Sequence, residues 1–387
     1  MFTSLILALA CAADPFPYAE AEAELSAEIH ADELKAHVYR LASPEFLGRK
    51  GEGGDRAAEH IASAFAKLKL KPAFGDTYFQ PIPSLLTTPR ADGKKVLGRN
   101  VGAFLPGSDP KLAEEWIILA AHYDHLGLRR GAIHPGADDN ASGVAMLLEV
   151  AEAFALGAYK PARSVYFLSF DLEEDGLLGA THFAAHPPRE FKQLKAFLVA
   201  DLLGRSFGDV MDEYVFVLGS ETSPRLRTLV TDTKPEAGLT IGRLGADLVG
   251  TRSDYGPFRD RRVPFLFFTT GTHRDYHKPT DLPDRLDFEK LVRISRWIAA
   301  ITNRLATDPA PIWEPNLVPD PVEAEVALVL LRRILDRPKV VPLTDDKKRR
   351  VTEARDRLTP IVERGTVTPE ERQWVVDTAR WMILNLF

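Results

Sequence analysis

Cysteine is all but missing from this chain: Cys11 is the only one in 387 residues. A lone thiol closes no intramolecular disulfide and builds no thiolate cluster, so any metal must be held by imidazole and carboxylate. Positive charge is not in excess either. Lys and Arg number 49 against 55 Asp and Glu, a net charge of −6, which argues against the basic footprint of a nucleic-acid-binding protein. The apolar stretch at residues 5–13 (LILALACAA) is far too short to span a bilayer, which takes about 20 residues as a helix. It has the length and the small-residue ending of a secretory leader, although no Lys or Arg precedes it. Residues 1–13 are therefore expected to be a signal peptide. The protein is expected to be exported (periplasmic, secreted, or lipid-anchored through Cys11), with no transmembrane segment.

What is present is an ordinary globular composition, 45% hydrophobic and 27% charged. Residues 19–41 and 56–70 read as helices, the second with Ala57, Ile61, Phe65 and Leu68 on one face. Apolar runs at 100–105, 116–121, 164–170, 196–199, 214–218 and 263–269 read as strands. Between the later strands lie helical patterns at 142–155, 176–186 and 224–232, and 288–305 is a strongly amphipathic helix. Residues 239–255 are Gly-rich and polar and read as a loop over the site. This alternation predicts an α/β protein, three layers α/β/α around a mostly parallel sheet. Residues 14–306 form the expected catalytic domain and the Pro-rich 307–321 a linker. Residues 322–387, read as three helices, form an extension without evident chemistry.

The most informative stretch is 116–143, WIILAAHYDHLGLRRGAIHPGADDNASG. An apolar strand runs into His122, Asp124, His125, His134, Asp138 and Asp139, and a helix follows. Ligands of open α/β sheets bind at the carboxyl ends of strands. Four separate strands deliver a polar cluster there: His122, Glu173 with Glu174, Asp201 and His277. Zinc takes His nitrogen and carboxylate oxygen, and two ions about 3.5–4 Å apart need a shared ligand. Asp139 is suited to bridge, with His122 and Asp201 serving one metal and Glu174 and His277 the other. Asp124, two residues after His122, is expected to hold that ring's second nitrogen, and Asp281 to do the same for His277. His125, His134, His182, His186 and His273 are not needed as ligands. Arg205, Arg243 and Arg252 are candidates for a substrate carboxylate.

Six segments carry a resemblance: His122-Tyr123-Asp124, GADDNASG from Gly136, EEDGLLG from Glu173, ADLLG from Ala200, SDYGPF from Ser253, and Tyr276-His277. In this order they resemble the co-catalytic zinc peptidases, which include bacterial leucyl-type aminopeptidases and the glutamate carboxypeptidase II group. The resemblance spans roughly residues 56–305. It implies a mixed eight-stranded sheet, two zinc ions and a peptide substrate. His122, Asp139, Glu174, Asp201 and His277 match the ligand positions. Glu173 matches the general base, and Tyr276 a residue that hydrogen-bonds the tetrahedral intermediate. It also implies a cis peptide between Asp139 and Asn140. Leu202 departs from the commoner Met. The expected function is a metal-dependent exopeptidase, in the first instance an aminopeptidase. The alternatives are a single-zinc glutaminyl cyclotransferase and a non-catalytic binding protein on the same scaffold.

Overall fold

A computed structural model describes residues 18–83, 96–315 and 318–386. The expected signal peptide and Cys11 lie outside the described residues. Strands β1 (Lys71–Pro72), β2 (Phe79–Pro83), β3 (Val96–Leu105) and β4 (Trp116–His122) come first. A hairpin of β5 (Gly127–Arg129) and β6 (Ala132–His134) follows. Then come β7 (Ser164–Phe170), β8 (Leu194–Ala200), β9 (Tyr214–Leu218), β10 (Thr240–Leu244) and β11 (Phe265–Thr269). Among the described residues one sheet of nine strands runs β1-β3-β7-β4-β8-β11-β9-β10, with β2 also on β3. Its centre, β7-β4-β8-β11, is parallel; β3 and β9 join it antiparallel.

The buried centre follows from sequence period. In β4 every residue is buried. Ile117, Leu119 and Ala121 enter one core and Trp116, Ile118 and Ala120 the other, as alternate side chains of a strand must. The first core is covered by α1 (Tyr18–Ala27), α2 (Ala31–Leu41), α3 (Glu52–Lys67), α4 (Gly143–Leu156), α6 (Pro224–Asp232) and α8 (Phe288–Thr307). The second is covered by α5 (Leu178–Ala185), the short α7 (Gly256–Arg259), and α9 (Pro321–Asp336), α10 (Asp345–Arg364) and α11 (Pro369–Leu386). The C-terminal helices thus share a core with the sheet. Asp320 starts α9 by accepting from the Val322 N–H, a side-chain cap directly before a Pro at the first helical position.

Three expectations need correction. Residues 19–41 are two helices. The chain turns at Ile29, which is fully buried, and His30 is extended before α2. The sheet has nine strands among the described residues, not eight. The segment read as a loop over the site contains β10, paired parallel with β9. Its polar residues hid it, because it is an edge strand, and α9 packs on it. Gly242 lies so close to Phe216 that a Cβ there would come within 2.8 Å of the ring.

Candidate metal centre

Parallel register places the chemistry. His122 pairs with Phe170, Ala120 with Val199, and Phe268 with Ala200. The carboxyl ends of β4, β7, β8 and β11 are therefore level. The chain leaves β7 through Leu172 and β8 through Leu202, both left-handed (φ 60° and 63°), and His277 is left-handed too (φ 58°). Such a conformation costs a non-glycine residue on the order of 1 kcal/mol or more, and it concentrates where a site dictates the backbone.

The side chains converge in two groups that share Asp139. His122 Nε2 lies 3.3 Å from Asp201 Oδ1 and 3.5 Å from Asp139 Oδ1. On the other side, His277 Nε2 lies 3.1 Å from Asp139 Oδ2 and 3.2 Å from Glu174 Oε2. The two oxygens of one buried carboxylate thus face different donor sets. Asp139 Oδ2 and Glu174 Oε1 are buried without a hydrogen-bond partner. His122, Asp139 and Asp201 form one group able to hold a metal ion, and His125, Asp139 and Glu174 another. Unsatisfied buried oxygens are costly, and a nitrogen and carboxylate donor set of this kind fits zinc.

The electrostatics describe a surplus of acid awaiting cations. Burial pushes Asp139 up to about 7, with Glu174 and Asp201 adding to the shift against the pull of His277. Burial likewise drives Glu173 well above the usual carboxylate range, with His122 opposing and Asp254, Asp201 and Asp124 reinforcing. Burial disfavours a charged His277 ring, but Asp139 and Glu174 outweigh it and raise the ring to about 10. Burial keeps the Tyr276 phenol protonated, helped by Asp139, Asp201, Glu174 and Glu173. Its ring stacks on His277, centroids 3.9 Å apart.

Supporting residues lock the loops. The Asp124 carboxylate sits 3.5 Å from His122 Nδ1 and accepts the backbone N–H groups of Glu173 and Glu174. It therefore ties the end of β4 to the end of β7. Asp281 does not contact His277, contrary to expectation. It accepts the N–H groups of Asp138 and Asp139 at 3.1 Å and so holds the bridging loop. His273 lies against Asp138, 3.3 Å away. The Asp139–Asn140 peptide is cis. Ser253 donates to Asp201 Oδ2, and Asp254 beside it is fully buried. Of the arginine candidates, Arg205 is held by Asp209 and Asp275 and Arg243 by Asp320; Arg252 is exposed.

Two residues escaped the sequence reading. Arg49, in the glycine-rich stretch GRKGEGG at residues 48–54, is fully buried. It donates to the carbonyls of Leu41, Tyr123, Pro135, Gly136 and Asp139, clamping both metal-facing loops. No local pattern signals that role, because its partners lie up to 90 residues away. The other is His125, three residues past the end of β4: the sequence leaves it unneeded as a ligand, and it is fully buried.

The chain is similar to several known peptidases. Aminopeptidase YwaD of Bacillus subtilis is 27% identical over 192 residues, covering 48% of this chain and 40% of that protein. Leupeptin-inactivating enzyme 1 of Streptomyces exfoliatus is 26% identical over 272 residues, covering 68% of this chain and 54% of that protein. The chain thus spans about half the length of these relatives or less. The fold matches that of BSAP, a zinc aminopeptidase from Bacillus subtilis, with a TM-score of 0.55 at 16% identity, over 74% of this chain and 98% of that one. The profile described as Peptidase family M28 matches residues 100–302, just over half of the sequence, and takes in every residue of both donor groups: the chain belongs to peptidase family M28.

Proposed function

We propose that this protein is a zinc-dependent exopeptidase acting as an aminopeptidase, with His122, Asp139 and Asp201 holding one ion and Asp139, Glu174 and His277 a second. The observation that carries the reading is Asp139, whose two oxygens face two separate donor sets. Zinc bound there supplies Lewis acidity toward the scissile carbonyl and toward water. The protein's own groups do the rest. Glu173, in neither donor group and with its N–H fixed by Asp124, takes the proton of the attacking water and passes it to the departing amine. The Tyr276 O–H donates to the oxygen that gains charge as the carbonyl carbon becomes tetrahedral. Asp124 orients His122 through the ring nitrogen that faces away from the centre.

Amino- rather than carboxypeptidase action is favoured by the relatives, among them Aminopeptidase YwaD. Of the three arginines that could bind a C-terminal carboxylate, Arg205 and Arg243 are paired with acids and Arg252 is exposed. The apolar stretch at residues 5–13 supports an exported enzyme, with Cys11 available for a lipid anchor. The test measures metal per chain and cleavage of matched peptide libraries with free and blocked N-termini. Two zinc ions and hydrolysis confined to free-amine peptides are expected. One ion, with cyclisation of N-terminal glutamine, would replace this reading with the cyclotransferase; equal cleavage of blocked peptides would remove the aminopeptidase assignment.

A further inference from the structure

The Glu174 carboxylate has two neighbours, one on each oxygen. His277 faces Oε2 at 3.2 Å, while His125 Nδ1 lies 2.8 Å from Oε1. His125 is fully buried and is held at the backbone, where its N–H donates to the Arg49 carbonyl at 3.4 Å. The pocket for its ring is built by Gly136. A Cβ at that position would come within 2.5 Å of His125 Cδ2, and the residue is left-handed (φ 57°), so glycine suits it on both counts. Both ring nitrogens lack an aligned hydrogen-bond partner, as does Glu174 Oε1. Nδ1 and Oε1 are thus within bonding distance but off line.

We propose that His125 is a positioning residue for the second metal position: it donates from Nδ1 to Glu174 Oε1, and so presents Oε2 beside His277 and Asp139. This rests on the metal-centre reading above. The bond becomes linear when Oε2 is drawn to a cation. The assignment as donor rather than ligand follows from the division of the carboxylate. His277 Nε2 lies 3.1 Å from Asp139 Oδ2 and 3.2 Å from Glu174 Oε2, each close to the edge of a tetrahedron with bonds of about 2 Å. His125 Nδ1 is farther from Asp139 Oδ2, at 3.7 Å, and lies on the opposite oxygen of Glu174.

The experiment is calorimetric titration of metal-stripped enzyme with zinc alone, on the wild type, His125→Ala, His125→Asn and His125→Gln. Thermal melts of each stripped protein verify folding. Asparagine places an N–H near the Nδ1 position, whereas glutamine and alanine do not. Wild type is expected to take up two ions. His125→Ala and His125→Gln should weaken the second uptake by about 10–100-fold, the usual cost of losing a group that orients a ligand. His125→Asn should bind within about 3-fold of wild type, and kcat should follow the same order with KM little changed. If alanine does not fold, the asparagine and glutamine pair decides. Equal loss in all three variants would make His125 a ligand and overturn the proposal, as would wild-type affinity in all three. A wild type that binds fewer than two ions would instead remove the metal-centre reading itself.

Discussion

Glu149, on α4 just beyond the bridging loop, offers a test of the electrostatics that does not involve the metal. Its side chain is fully buried against α2. Oε2 accepts a long bond from the His30 N–H at 3.4 Å, Oε1 is buried without an aligned partner, and His37 Nε2 stands 3.6 Å away. Burial pushes this carboxyl up to about 8. The His30 N–H works against the shift, and the nearby acids Glu33 and Glu152 add to it. The raised folded value means that the native state holds a proton the unfolded chain releases near 4.5, so stability falls as pH rises from there to 8. Burial pushes His37 the other way, down to about 4. Its contribution rises with pH between 4 and 6.5, and the two effects offset each other in that interval. Above pH 6.5 Glu149 acts alone of the pair. Between pH 6.5 and 8.5 the wild type should lose about 2 kcal/mol relative to Glu149→Gln, which is neutral throughout. Urea unfolding of both proteins at the two pH values measures it, and other titrating groups cancel in the comparison. Parallel pH profiles would refute the reasoning, because Glu149 would then ionise in the fold as it does in water.

Other predictions address the centre and its supports. Glu173→Gln should keep its metal and lose at least about 10²-fold in turnover, whereas Glu174→Gln should lose metal first and regain activity in excess zinc; metal content and turnover of both decide, and the reverse pattern would exchange the roles. Arg49→Met strands five buried carbonyls and should destabilise by at least about 3 kcal/mol in denaturant; a loss under about 1 kcal/mol would mean the loops hold themselves. A chain ending at Thr307 should keep its zinc stoichiometry but melt lower and aggregate, because α9–α11 cover Phe216, Leu218 and Leu248. An unchanged melting temperature would show a detachable tail, and loss of metal would show a tail that acts on the site.

The layered fold was legible because burial imposes period on sequence. The run at 116–121 could only be a strand sealed on both faces, and 288–305 only a helix with one apolar stripe, started by Asp287 accepting from Lys290. The donor residues were legible for a related reason: a His or a pair of Glu at the end of an apolar strand is unusual, and parallel strands bring their carboxyl ends to one edge. The edge strand β10 was not legible, because an edge needs no continuous apolar run and its cover, α9, comes about 80 residues later. Nor was the break at Ile29, since the acidic and apolar alternation continues through it. The assignment of second partners also required the tertiary structure. Asp281 lies four residues from His277, yet it holds the backbone of Asp138 and Asp139. Arg49 clamps loops far along the chain, and His125 turns into Glu174 rather than to solvent. Local sequence determines which residues can form a strand, a cap or a ligand. Which nitrogen meets which oxygen depends on distances between segments far apart in the chain, and those are set only when the two cores close.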